Sequence, residues 1–443
     1  MELQEMSEMT DIPDAAIIGG GPAGYSCAVK VAQLGGKAVI VEKEELGGVC
    51  TNRGCIPTKT LHATAKLIDK MRKAGDLGVD AKFSFDFGKV MERKDRVVKT
   101  SVMGIRKLLE NHGIEVVKGT GKIASKNEVR IEDAGRTIKA KNIVIATGSG
   151  PVSIPGIEGI TSTEMLGLKR APKKLLIIGG GVTGVEFAAI FSRLGSEVTV
   201  VEMMERIIPA EDEEISEALR RTMERDGTRI FTSSKVEKVS KGRAVIRTAG
   251  KTFEEHFDAV LVSVGRRPNI PSEIDSLGIK HGKNGISVDE KMQTNVGNVY
   301  AIGDVSGGPQ LAHAAYEEGI VAAENIMGRG SSIDYRTVPV CIFTIPEIAS
   351  AGKREPGCKT GKALFVASGK ARALGETQGF VKVFVKGWKL ISVSIIGENA
   401  TELIAEAALI ISQNIPINKI RRITHAHPTL SESLVEALEN LGE

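Results

Sequence analysis

Two cysteines six positions apart inclusive, in Cys50-Thr-Asn-Arg-Gly-Cys55, can close a small disulfide loop. Cysteines are also small hydrophobes, and spacing alone leaves that simpler role open. The surroundings favour chemistry. Gly47 and Gly48 precede the pair, Pro57 follows with a helical pattern behind it, and Arg53 adds positive charge between the thiols. A thiol close to a helix start has its pKa lowered by the helix dipole. A thiol is mostly protonated at neutral pH, so a thiol's attack on a disulfide needs a general base. His427 is the candidate, because Glu432, five residues on, can orient the ring and stabilise its cation. His425 and the dispersed Cys27, Cys341 and Cys358 read as structural. Five cysteines in 443 residues are too few for a secreted disulfide framework. The compartment is therefore expected to be reducing and cytoplasmic, where a disulfide would be catalytic.

The elements that must carry these groups repeat. Strand Ala15 to Ile18, the turn Gly19-Gly-Gly21-Pro-Ala-Gly24, a helix to Leu34 and strand Ala38 to Val41 ending on Glu42 form a βαβ unit. The pattern returns as Leu175 to Ile178, Gly179-Gly-Gly181-Val-Thr-Gly184, a helix to Leu194 and Val198 to Val201 ending on Glu202. Gly19 and Gly179, Gly24 and Gly184, and Glu42 and Glu202 are each 160 positions apart. In such turns the first glycine permits the bend, the second lets a pyrophosphate approach the backbone, and the third lets the helix pack on the sheet. An acid 18 residues after the last glycine reaches ribose hydroxyls. Two Rossmann-like dinucleotide units are therefore expected. Asn142 to Gly148 and Ala259 to Gly265 read as their matching outgoing strands. The wider spacing in the first unit is filled by a helical region from Thr58 to Ala74 and an amphipathic stretch from Phe87 to Asn111.

Val299 to Asp304 reads as a further strand ending on Gly-Asp. From about Tyr335 the texture changes to alternating strands, Phe380 to Val385 and Leu390 to Ile396, then a helix from Ala400 to Asn414. The expected class is α/β, with two nested dinucleotide-binding domains plus a C-terminal α+β domain. The expected boundaries are 1–150 and 272–332 for the first cofactor's domain, 151–271 for the second's and 333–443 for the last. A net charge of +4 without a basic block argues against a nucleic-acid partner. No apolar run approaches the ~18 residues of a membrane span, and Met1 to Asp14 lacks the basic residues of a targeting peptide. No metal centre is expected.

The string from Gly47 to Lys59, the two dinucleotide turns, Gly303-Asp304 and His427-Pro-Thr-x-x-Glu432 together resemble the flavin-dependent pyridine nucleotide-disulfide oxidoreductases. The resemblance runs from about Asp14 to nearly the C-terminus, and it is greatest to members that oxidise protein-bound dihydrolipoamide. It implies FAD held through Gly19, Gly21, Gly24 and Glu42, with Lys59 and Thr147-Gly148-Ser149 near the flavin, Asp304 on the ribitol or pyrophosphate, and Gln310-Leu311-Ala312-His313 as a further contact. It implies NAD held through Gly179, Gly181, Gly184, Glu186 and Glu202, with Gly265 nearby and Glu186 paired to Lys59. Cys50 would exchange with substrate and Cys55 would face the flavin. The C-terminal domain would form a homodimer in which His427 serves the opposite subunit's disulfide, and a lipoyl-bearing protein of a 2-oxo acid dehydrogenase complex or the glycine cleavage system would be the partner.

The chain departs from relatives in carrying Val182 where some have a gating aromatic, and in having only 11 residues after Glu432. An NADPH-dependent reductase of another disulfide, such as glutathione, shares nearly every part. Glu202 should repel a 2′-phosphate, which favours NAD, although Arg206 lies four residues on. A flavoprotein scaffold subunit is the third reading, and the presence of Cys50, Cys55, His427 and Glu432 together argues against it.

Overall fold

A computed structural model describes residues 12–442; most of the segment expected to lack targeting features lies outside the described residues. The chain divides into two compact units. The first comprises the described residues up to Thr58, Arg93–Val152 and Arg266–Ile333. Its centre is a five-stranded parallel sheet in the order Val299–Ala301, Asn142–Ile145, Ala15–Ile18, Ala38–Glu42, Glu115–Lys118. Ala15–Ile18 is buried at every position, as a parallel strand covered on both faces requires. Helix Pro22–Gln33 packs on helix Ala312–Ile326, and Gly319 makes the approach possible: a Cβ there would lie 2.5 Å from the Ala23 carbonyl oxygen. The unit also holds an antiparallel three-stranded sheet, Gly121–Ser125, Glu128–Ile131 and Arg136–Lys139, and the antiparallel pairs Ser149–Pro151 with Arg266–Pro268 and His281–Gly282 with Gly285–Ile286.

The second unit comprises Lys59–Glu92, Ser153–Gly265 and Asp334–Glu443, of which all but the last residue is described. It repeats the parallel motif as Arg229–Phe231, Glu197–Val201, Lys174–Ile178, Ala259–Val262. Asn142–Ile145 and Ala259–Val262 each pair with the first strand of their own motif, so they are matching outgoing strands. The C-terminal segment forms an antiparallel sheet of Val340–Ile342, Glu347–Gly352, Lys389–Gly397, Phe380–Lys386 and Lys359–Leu364. Helices Ala400–Ser412 and Glu432–Glu439 bury Ile404, Ala407, Ile410, Leu434 and Leu438 in this part's core.

Residues 59–92 belong with the second unit because Leu61, Ala65, Ile68, Val90 and Met91 join its core with Phe187 and Phe191. The helix expected from Thr58 runs instead over Cys55–Arg72, starting on the second cysteine. Pro57 falls in its first turn, where the missing amide has no intrahelical partner to lose.

Candidate functional site

Gly19 lies at φ +110°, and a Cβ there would stand 2.3 Å from the Ala146 carbonyl oxygen; at Gly24 it would stand 1.9 Å from Gly19's own. These two glycines are required by the chain's own packing. Gly21 is different, since an added Cβ would meet nothing closer than the Gly48 Cα at 3.9 Å. The open space lies at the N-terminus of a 12-residue helix, where unpaired amides and the dipole favour an anion. The second turn reproduces this: Gly179 and Gly184 are closed in, and Gly181 has nothing within 4 Å. Both cradles fit the pyrophosphate of a dinucleotide.

The acids at the strand ends are also equivalent. Glu42 Oε2 accepts from the Gly20 amide at 2.6 Å and Oε1 from the Glu44 amide at 2.6 Å. Glu202 Oε2 accepts from the Gly180 amide at 2.6 Å and Oε1 from the Met204 amide at 2.7 Å. Both carboxylates are buried beside the turn. Arg206, which sequence left as a possible phosphate anchor, donates to the Pro209 carbonyl at 3.3 Å and lies 3.9 Å from Glu213.

In the first unit, the short helix Gly48–Arg53 carries Cys50, and Cys55 opens the next helix. Both thiols are partly exposed. Tyr25 and Tyr316, whose hydroxyls hydrogen-bond one another, belong to the same neighbourhood. Burial raises both phenols above the usual tyrosine value, and charge on Cys50 and Cys55 adds to the effect.

Thr147, Gly148 and Ser149 form a clamped turn. The Asn269 amide donates to the Gly148 carbonyl at 2.9 Å, its side-chain nitrogen to the Thr147 carbonyl at 3.0 Å, and Thr147 Oγ1 donates to the Asn269 carbonyl at 2.7 Å. Ser149 Oγ donates to Asp304 and accepts from Arg266 Nε at 2.7 Å, while Arg266 Nη2 donates to the Ser149 carbonyl at 2.6 Å. Burial lowers the Arg266 guanidinium from its ordinary value, and the Asp304 carboxylate acts against that. Asp304 sits on the turn Gly303–Ser306, held by the Gly303 amide donating to buried Glu318 at 2.5 Å. Gln310, at φ +51°, and extended Leu311 lead into helix Ala312–Ile326, with His313 exposed in its first turn.

In the second unit, Lys59 Nζ donates to both Glu186 oxygens at 2.9 Å. Glu186 also accepts from the Phe343 amide at 2.9 Å, and the Phe343 ring centroid is 4.3 Å from the Lys59 ammonium. Ser263 Oγ donates to the Gly179 carbonyl at 3.1 Å, and Gly265, at φ +113°, follows. In the C-terminal part, His427 Nδ1 lies 2.9 Å from Glu432 Oε1, and Glu432 Oε2 accepts from the Thr429 amide at 2.8 Å. The Thr429 amide and His427 hold the Glu432 carboxyl below its usual value. His425 is a neighbour of another kind: its side chain is 10% exposed and tied to Glu406 at 2.8 Å, whereas His427 is 79% exposed.

Sequence reasoning missed Arg266, Asn269, Glu318, Phe343 and the tyrosine pair. The string Arg266-Arg-Pro-Asn269, directly after a strand that stops at Gly265, was a usable signal for the first two. Phe343 carried none.

Residues 13–319 match the model of the pyridine nucleotide-disulphide oxidoreductase family, and residues 338–438 match the dimerisation domain of the same family. The dihydrolipoyl dehydrogenase of Bacillus subtilis is 40% identical over 445 residues, covering 96% of this chain and 97% of that one. The mitochondrial dihydrolipoyl dehydrogenase of Pisum sativum is 39% identical over 456 residues, covering 97% and 91%. Among solved structures, LpdA from Mycobacterium tuberculosis superimposes with a TM-score of 0.88 at 26% identity over 96% of this chain and 99% of that one. The HOCl-induced flavoprotein disulfide reductase RclA from Escherichia coli gives 0.85 at 28% identity over 96% and 99%. Among the described residues no helix is long and apolar enough to cross a membrane. With the family model spanning well over half the chain and relatives about 40% identical over nearly its whole length, the chain belongs to the pyridine nucleotide-disulphide oxidoreductases and is an FAD- and NAD-dependent oxidoreductase of disulfide chemistry.

Proposed function

We propose that the chain oxidises dihydrolipoamide carried on a lipoyl-bearing protein to lipoamide, with NAD as the final acceptor. The observation that carries this reading is the exposed His427 imidazole oriented by Glu432 at 2.9 Å. His427 takes the proton of a substrate thiol. The resulting thiolate attacks Cys50 of a Cys50–Cys55 disulfide, and Cys55 departs as a thiolate. The second substrate thiol then attacks the mixed disulfide, giving its proton to the departing Cys50 sulfur as the lipoyl ring closes. FAD, when bound, would supply the redox chemistry that links the reduced thiol pair to NAD.

The first cradle, with Gly21, Glu42, the Thr147–Ser149 turn, Asp304 and the Gln310–His313 segment, would hold FAD, and Lys59 paired with Glu186 would stand beside its isoalloxazine. The second, with Gly181 and Glu202, would hold NAD. Two copies would associate through residues 338–438, where the dimerisation model matches. Dihydrolipoyl dehydrogenases among the relatives support lipoyl as the substrate. A steady-state comparison of dihydrolipoamide with NAD against oxidised glutathione with NADPH tests the reading. Turnover of the first pair is expected; robust glutathione reduction without dihydrolipoamide activity would overturn it.

A further inference from the structure

The Lys59–Glu186 pair is not built from these two residues alone. Phe343 touches both: its amide donates to Glu186 Oε1 at 2.9 Å, and its ring faces the Lys59 ammonium at 4.3 Å. A cation over an aromatic face within about 6 Å is attracted by the ring quadrupole. The ring has a second neighbour. His62, one turn along the helix from Lys59, meets it edge-on at 5.9 Å and 82°. His62 Nε2 lies 3.1 Å from the carbonyl oxygen of Thr344, whose hydroxyl donates to the Pro346 carbonyl at 2.6 Å. His62 is 5% exposed and Thr344 fully buried, so neither support can swing away without opening the core.

The carboxylate and the ring divide the work. Glu186 occupies two of the three ammonium donors, but its own side chain would turn about its terminal bonds if Lys59 were its only partner. The Phe343 amide fixes one of its oxygens, and the ring limits where the lysine stem can lie.

We propose that Phe343 is a positioning residue for Lys59, holding its ammonium through the ring face and holding Glu186 through the backbone amide. The consequence for the flavin rests on the reading that Lys59 stands beside it; the positioning itself does not.

The test uses the holoenzyme. A ring that attracts the ammonium holds it against Glu186, so removing the ring releases the lysine side chain to a reagent. Acetylation of Lys59 by a limiting acetyl ester, followed by peptide mass spectrometry, should be about three- to tenfold faster in Phe343→Leu. Phe343→Tyr, which keeps the face, should react like wild type. Melting temperatures show whether each variant is folded, and Phe343→Met replaces Phe343→Leu if the latter is not. An unchanged Lys59 rate in a folded variant without the ring would overturn the proposal. As a second readout, Lys59→Met should displace the absorbance spectrum of bound FAD, and Phe343→Leu should displace it in the same direction by less. An undisplaced spectrum in Lys59→Met would overturn the placement of Lys59 beside the flavin, with the acetylation result still deciding on Phe343.

Discussion

His427 and Glu432 form a dyad in which the acid is anchored and the base is open: Glu432 is held by the Thr429 amide at 2.8 Å and lies 2.9 Å from a ring that remains 79% exposed. The backbone fixes the carboxylate, the carboxylate orients the imidazole, and Nε2 is left to meet a thiol. If His427 is the base, His427→Ala lowers kcat by about 10²–10⁴-fold, the usual worth of general-base catalysis. Glu432→Gln keeps the geometry but loses the charge, so a smaller loss in kcat with little change in KM is expected. Because Glu432 ionises below the usual carboxylate range, its anion persists as pH falls toward that range, and the acid limb of kcat/KM should not report it. Steady-state profiles of the two variants and wild type check this, and an undiminished kcat in His427→Ala would remove it from the mechanism.

Glu202 should set the nicotinamide cofactor. Its carboxylate is pinned by the amides of Gly180 and Met204, exposed Met203 and Met204 follow it, and Arg206 is turned to the Pro209 carbonyl. A 2′-phosphate would meet a fixed negative charge. Glu202→Gln should narrow the NAD over NADP preference in kcat/KM by about tenfold, the effect of removing roughly 1.4 kcal/mol of repulsion. Equal wild-type efficiency with both cofactors would refute the assignment.

The two thiols should be separable by colour. Cys50→Ser is expected to abolish dithiol exchange yet keep the long-wavelength charge-transfer absorbance between Cys55 thiolate and oxidised FAD. Cys55→Ser is expected to lose that band. Persistence of the band in Cys55→Ser would reverse the two roles.

Cys27, which is buried, and Cys341, which is partly exposed, should both be slow to alkylate. Burial pushes Cys27 up to about 12 and Cys341 up to about 11, with the Glu347 carboxylate adding to the second. The thiolate fraction of Cys27 at pH 8 is then about 10³-fold below that of an ordinary thiol. Iodoacetamide labelling of the folded, reduced protein at pH 8 should mark Cys50 and Cys55 well before Cys27 and Cys341. The reactivity of Cys341 should rise before that of Cys27 as pH increases. Rapid labelling of Cys27 at pH 8 would contradict its burial.

The repeated strand, glycine turn, helix and terminal acid were legible in the chain because each is local: Gly19 and Gly24 serve a bend and a helix contact within one βαβ unit, and a buried parallel strand writes itself as an apolar run. The family was legible from Cys50, Cys55, His427 and Glu432 for the same reason, as short motifs with distinctive spacing. Sequence placed Glu432 five residues after His427, and the structure added the Thr429 amide that anchors it. What only the tertiary structure decided is which distant groups meet. Arg266 reaches Ser149 and Asp304, and Phe343 reaches both Lys59 and Glu186. The helix that begins on Cys55 passes from one compact unit to the other at Lys59. These partners lie many tens of residues apart in the chain. Such contacts are set by how sheets and helices pack, which no local pattern of residue types encodes.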